Sequence, residues 1–376
     1  MEKKYFEGLD VIRALAALLV IVHHIELSVY LEFGHVGELG IIHNAVVHII
    51  GKRGVHIFFM LSGFLITYLL IQEKVKHQHI AIGKFYLRRI LRIWPLYFLT
   101  VFIGFCLLPM LFKNWTFLGS VHYYTELIEI LETGGDSPFY YYMFFVPNLA
   151  NHFFSPVLGA SHLWSIGVEE QFYLIWPLIF LIKNFRLQLL VIGAIALMPF
   201  LPKVLDRIPG CAEWADWVRH FPFYWMAMGG LGAFVFHYFQ NPLEKMLNRF
   251  SSLSWLLVFL FLGLSLLFKI NNYLFGLMGL ILILRFSSGY QWLPAKFPIL
   301  GFLGKISFGL YIYHPVVMFV VISAFQFYFP QWHEVSALKI CVYLAITLLS
   351  ILVAWASFRF FERPFIQLKD NKFKTA

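Results

Sequence analysis

Apolar runs of membrane length recur along this chain, separated by short polar stretches. Runs of that length predict bilayer-crossing helices, whereas a barrel would show short segments of alternating polarity. The pattern places ten spans, at roughly 9–30, 55–72, 93–112, 164–182, 187–201, 221–239, 254–268, 272–288, 306–328 and 337–358. The run at 187–201 is short and fits a tilted or partly re-entrant helix. In the longest connection, about 113–163, TGGDSP (133–138) reads as a turn and YYYMFF (140–145) as an interfacial or re-entrant helix. The expected fold class is an all-α polytopic membrane protein. It forms one domain over residues 1–376, a single bundle of about ten transmembrane helices.

An even number of spans puts both termini on one side. That side holds most of the Lys and Arg residues, among them Lys74, Lys84, Arg88, Arg89, Arg92, Lys183 and Arg186. The opposite side holds few, such as Lys52, Arg53, Lys113 and Arg219. The asymmetry predicts that both termini are cytoplasmic.

Composition supports the membrane reading. The chain is 60% hydrophobic and only 13% charged, where soluble domains are about half apolar and a quarter charged. The net charge of +9 does not indicate nucleic acid, because the basic residues are scattered between apolar runs. Cys106, Cys211 and Cys341 are isolated and supply neither a disulfide framework nor a CxxC metal site. The histidines around the first outer loop (His35, His43, His48, His56) lack HExxH or another compact ligand pattern, so no metal is expected. Lys3 and Lys4 precede the first apolar run, but no small-x-small site follows it, which predicts a retained first helix.

The first span, GLDVIRALAALLVIVHHIE (8–26), carries Asp10, Arg13, His23 and His24. On a helix, the eleven steps from Arg13 to His24 turn about 1100°, so both residues share a face, roughly 16 Å apart along the axis. Asp10 and Arg13, three apart, can pair. A buried ion pair with two hydrogen-bonded histidines is the plain structural alternative. Four ionisable groups on one span are too many for packing alone and mark a site.

Other stretches add polar groups. In GVHIFFMLSGFLITYLL (54–70), Ser62 and Gly63 allow close approach of another helix or a ligand. No GxSxG elbow makes Ser62 a nucleophile. KFYLRRILRIWPLY (84–97) clusters Arg88, Arg89 and Arg92 at the cytoplasmic entry to the third span. Guanidinium groups suit bidentate phosphate binding, and an ordinary positive-inside anchor or lipid-headgroup contact is the alternative. In HLWSIGVEEQFYLIWPL (162–178), His162, Ser165 and Glu169 form a polar stripe beside Trp164, as either a site or an interfacial helix cap. Ser307, Tyr311 and His314 make a second stripe in the ninth span, with His314 either functional or a satisfied buried histidine. Snorkelling accounts for Arg285.

Taken in order, these stretches resemble the acyltransferase 3 family of membrane acyltransferases. The resemblance rests on Arg13 and His24 within LDVIRALAALLVIVHH, FFMLSGFLI (58–66), RRILRIWPLY (88–97), HLWSIGVEEQFY (162–173), ISFGLYIYHP (306–315) and FERP (361–364). The one departure is Ile166 where the family often has Leu. The resemblance implies transfer of an acyl group, commonly acetyl, from cytoplasmic acyl-CoA to a hydroxyl of a surface or exported carbohydrate. O-antigen, capsule, exopolysaccharide, peptidoglycan and a small glycoside are all candidate acceptors, and nothing in the outer loops selects among them. It implies the bacterial inner (cytoplasmic) membrane as the location. Some relatives carry a further extracytoplasmic SGNH domain, and this chain is expected to lack one.

The expected catalytic set is His24 as general base, with Arg13, Asp10, Glu169 and His23 in support. An acyl-His24 intermediate is the alternative to general-base catalysis. Arg88, Arg89, Arg92 and Lys84 are expected to hold the phosphates of acetyl-CoA. His162, Trp164, Ser165, Tyr311 and His314 are expected to bind the acceptor. The expected partners are the lipid bilayer, the acyl-CoA donor and the carbohydrate. The competing class is a proton-coupled transporter or flippase using the same buried polar residues.

Overall fold

The computed structural model describes residues 6–34, 46–133, 137–249, 263–265, 271–288 and 298–373. Helices and short connections account for all of them, with no strand among the described residues. Five helical stretches are long and apolar enough to cross a membrane: Glu7–Phe33, His48–His77, Ile82–Asn114, Ser307–Tyr328 and Ser336–Leu368. The chain is a multi-pass membrane protein.

The principal helices are α1 (Glu7–Phe33), α2 (Gly51–His77), α3 (Ile82–Phe102), α4 (Trp164–Ile179), α5 (Phe185–Ala196), α6 (Phe223–Tyr238), α7 (Asn272–Ser287), α8 (Ser307–Tyr328) and α9 (Ser336–Ser357). Each overlaps one of nine expected spans, with α3 starting eleven residues before the expected 93–112, and α4 to α7 are shorter than the roughly 20 residues a perpendicular span needs. The expected span at 254–268 and the turn at 133–138 lie partly outside the described residues. Helix α3 begins well before the apolar run at 93, so the arginine cluster is already helical. The described residues of the connection at 113–163 lie mostly in short helices, including Phe139–Met143 within the stretch expected as an interfacial or re-entrant helix.

Two compact units share the chain. The first comprises Met1–Ala16, Lys52–Ile82 and Val168–Gly304. Its core is a close crossing of α2 and α6 at glycines. A Cβ on Gly63 would lie 1.9 Å from the Met226 carbonyl oxygen, and one on Gly229 would lie 2.0 Å from that of Met60. Hydrogen at these positions lets two backbones meet, the small-residue packing that membrane helices use. Phe6, Phe64, Tyr68 and Phe236 pack ring to ring beside the crossing. The buried Trp176 indole donates to Thr67 Oγ1 at 2.8 Å, so its N–H is satisfied where water is absent.

The second unit comprises Ala17–Gly51, Gly83–Gly167 and Lys305–Ala376. Helices α8 and α9 pack along their lengths, and Gly309 sits against Ala354. Its loops are tied by polar groups. Tyr97 donates to the Tyr142 carbonyl at 2.7 Å, and Ser120 donates to that of Ser323 at 2.7 Å. Glu32, at the end of α1, accepts the His122 and Tyr123 backbone N–H groups at 2.9 and 2.8 Å. It thereby caps the helix His122–Thr133 with a negative charge at its N-terminus.

Candidate active site

Helix α1 runs unbroken from Glu7 to Phe33, so the register that puts Arg13 and His24 on one face is kept. Near its start, in the first unit, Arg13 donates to Asp10 Oδ1 at 2.7 Å, with Asp10 buried and Arg13 partly exposed. The expected pair forms. The Asp10 backbone packs directly on Gly304, whose Cβ would fall 2.0 Å from the Asp10 carbonyl oxygen.

In the second unit three histidines from distant parts of the chain gather. The His24 ring lies 4.9 Å from that of His314, and the His314 ring lies 5.6 Å from that of His162. His24 Nδ1 is 2.9 Å from the Val20 carbonyl oxygen and 3.2 Å from His314 Nε2. His314 Nδ1 is 3.2 Å from the Leu310 carbonyl oxygen. His23 lies beside His24, with ring centres 5.0 Å apart, and packs on Gly51, where a Cβ would meet the imidazole at 2.1 Å.

His162 is buried, and neither ring nitrogen makes a hydrogen bond of normal geometry among the described residues. Burial first, and then the nearby His24, push its imidazole down to about 3, against which the Ile312 backbone acts only in part. His162 therefore stays neutral at physiological pH. It lies in the turn Ser161–Leu163 ahead of α4, so only Ser165 and Glu169 of the expected stripe share the helix. The His162 carbonyl draws the elements together instead. It accepts from Ser165 Oγ at 3.3 Å and Tyr311 OH at 3.1 Å, and those two hydroxyls are 2.7 Å apart. Trp164 opens α4 and is half-buried.

Glu169 belongs to the first unit, where it accepts from Tyr173 OH at 2.5 Å and from Ser62 Oγ at 3.3 Å. Ser62 Oγ and Tyr173 OH are themselves 2.5 Å apart. Ser62, expected only to allow close approach of a helix or a ligand, thus joins a carboxylate-centred trio. Its signal was a hydroxyl beside a glycine in a bulky apolar run.

On α3, Lys84, Arg88 and Arg92 follow one another at four-residue intervals and share a face, with Lys84 and Arg92 exposed and Arg88 half-buried. Arg89 lies with its guanidinium 5.7 Å from the centre of the Phe85 ring. Arg92 acts electrostatically on Glu362, whose carboxylate accepts from Ser357 Oγ at 3.1 Å while Tyr313 OH donates to the same Ser357 at 3.0 Å. Sequence reasoning quoted Glu362 within FERP and assigned it no role. An acidic residue between Arg359 and Arg363 at a helix end was the available signal. No group of three or more His, Cys, Asp or Glu side chains able to hold a metal occurs among the described residues.

A family model described as an acyltransferase domain matches residues 6–359. Among curated proteins, the chain is similar to the peptidoglycan O-acetyltransferase OatA of Listeria monocytogenes, at 26% identity over 389 residues, covering 96% of this chain and 56% of that protein. It is also similar to the O-acetyltransferase OatA of Staphylococcus aureus, at 27% identity over 390 residues, covering 96% and 57%. The chain therefore spans about half the length of the curated relatives it matches. No solved structure matches it.

Proposed function

The chain belongs to the acyltransferase 3 family, and on that premise we propose that it is a membrane O-acetyltransferase. It works in the bacterial cytoplasmic membrane and moves acetyl from cytoplasmic acetyl-CoA to a hydroxyl of a cell-envelope carbohydrate. The observation that carries this reading is the reach of the family match. Residues 6–359 take in Arg13, His24, the stripe on α3 and His314. Peptidoglycan, named for the Listeria relative, is the first acceptor to try.

In this reading His24 removes the acceptor proton as the hydroxyl oxygen attacks the thioester carbonyl. The C–S bond then breaks, and the thiolate departs with its electron pair and regains a proton. Lys84, Arg88 and Arg92 meet the donor phosphates. Three cations on one helical face suit a polyanion, and the exposed Arg92 can exchange its neighbour Glu362 for a phosphate oxygen. A hydrogen bond to a charged group contributes about 1.5–3 kcal/mol when well placed. Arg88→Ala and Arg92→Ala should therefore each raise the KM for acetyl-CoA roughly tenfold with little change in kcat, as measured by steady-state thiol release. A double variant with an unaltered KM would remove the donor from this face.

The deciding experiment follows free thiol and labelled acetyl from acetyl-CoA in membranes containing the protein, with and without envelope glycan fractions. Thiol release that requires glycan, with label recovered in it, is the expected result. No release with any acyl-CoA, together with no CoA binding, would overturn the reading in favour of solute transport. With the termini cytoplasmic, a tag placed after Ala376 should stay inaccessible to reagents applied outside intact cells.

A further inference from the structure

We infer that His314 is the positioning residue for His24: its Nε2 accepts, together with the Val20 carbonyl, from His24 Nδ1–H, which leaves Nε2 of His24 as the nitrogen that takes the acceptor proton. The inference rests on the reading of His24 as the base and goes beyond it by assigning the tautomer and its cause.

The argument starts from what each nitrogen faces. A carbonyl oxygen only accepts, so a neutral imidazole nitrogen held against one carries the hydrogen. His24 Nδ1, 2.9 Å from the Val20 oxygen, is therefore the N–H, and Nε2 keeps its lone pair. The same logic applies to His314, whose Nδ1 faces the Leu310 oxygen at 3.2 Å. Pro315 lies inside α8 and has no N–H, so the Tyr311 carbonyl is released from the helix ladder and offers the ring a second acceptor. With Nδ1 as its donor, His314 presents a bare Nε2, and His24 Nδ1–H lies 3.2 Å from it. The two rings agree on one assignment. His24 shares its hydrogen between Val20 and His314, and its Nε2 makes no hydrogen bond among the described residues. The reverse assignment, with His314 donating to His24, would set a lone pair on His24 Nδ1 against that carbonyl.

This arrangement has a catalytic consequence. When the acceptor O–H bond breaks, its proton joins the Nε2 lone pair and His24 becomes a cation. The positive charge spreads to Nδ1–H, so the bond to His314 Nε2 strengthens as the transition state is approached. A contact that strengthens on the way to the transition state raises kcat rather than substrate affinity. On departure of the thiolate, the Nε2 proton leaves and the neutral pair is restored.

The test compares wild type with His314→Leu, which fills the space without an acceptor, and His314→Gln, whose amide oxygen can accept from His24 Nδ1. Glycan-dependent thiol release is read in all three, with His24→Ala alongside. His314→Leu should lower kcat roughly 10- to 100-fold, the range for one hydrogen bond to a group that becomes charged. The KM for acetyl-CoA should stay within about twofold, because the contact is made in the transition state. His314→Gln should recover most of the loss. Equal kcat in His314→Leu and wild type, with His24→Ala inactive, would overturn this inference and leave the proposed function standing. An active His24→Ala protein would instead remove His24 as the base.

Histidine-selective ¹⁵N NMR of the wild-type protein in micelles, assigned by comparison with His24→Ala, keeps the inference falsifiable should the His314 variants fail to fold. A bare Nε2 on His24 is expected, and the opposite tautomer would overturn it.

Discussion

Replacing His24 by alanine should leave a folded membrane protein whose acetyl transfer is about 10²–10⁴-fold slower, the usual loss when one positioned general base is removed. The ring is half-buried beside His314, and its Nδ1 is held by the Val20 carbonyl. Truncation therefore removes a contact for His314 Nε2 as well as the proposed base. An unpaired buried acceptor costs about 1–3 kcal/mol, enough to lower thermal stability without preventing folding. His24→Gln separates the two effects. Its amide N–H can still donate to Val20 or to His314, but the amide has no lone pair able to take a proton near neutral pH. Both variants should thus be slowed to that extent, while His24→Gln melts closer to wild type in detergent. Thiol release and a melting curve on the same preparation check this. Either variant retaining more than half the wild-type turnover would exclude His24 as the base.

Much of this site was legible because its parts are local. Asp10 and Arg13 pair at a spacing of three, and Arg13 and His24 keep their common face because nothing in 7–33 interrupts the helix. Tyr311 and His314 also sit one turn apart on α8, as the spacing predicts. The partners of these residues were not legible. His24 and His314 are 290 positions apart, and Ser62 and Glu169 are 107 apart, so only the packing of helices brings them together. Span boundaries and helix boundaries differ for a physical reason. Hydropathy marks the part of a helix that prefers lipid, whereas backbone hydrogen bonding continues into polar residues of good helix propensity. Lys84 to Arg92 are therefore helical although they precede the apolar run. Before α4 the opposite occurs: His162 is held in a tight turn, and its carbonyl serves Ser165 and Tyr311.

Gly63 carries the largest expected effect on stability. The atom nearest an added Cβ is the Met226 carbonyl oxygen at 1.9 Å, followed by Met226 backbone carbons at 2.5 and 2.6 Å. No rotamer change relieves a clash with backbone, so α2 and α6 must separate. The reciprocal approach of Gly229 to the Met60 carbonyl at 2.0 Å shows that the crossing is tight from both sides. In lipid, helix association rests on van der Waals contact rather than on hydrophobic transfer, and separation forfeits that contact along the crossing. Gly63→Ala should therefore cost at least the roughly 1–3 kcal/mol of an overpacked core, and Gly63→Leu should fail to accumulate as folded protein. Gly193→Ala is the matched control. It lies within α5, a Cβ there meets nothing within 4 Å, and alanine improves helix propensity by about 0.8–1.0 kcal/mol. Thermal melts of the three proteins in one detergent check the ordering. A Gly63→Ala protein as stable as wild type would mean that the crossing is looser than described. The strain falls next on Ser62, beside the crossing, whose hydroxyl donates to Glu169 and lies 2.5 Å from that of Tyr173.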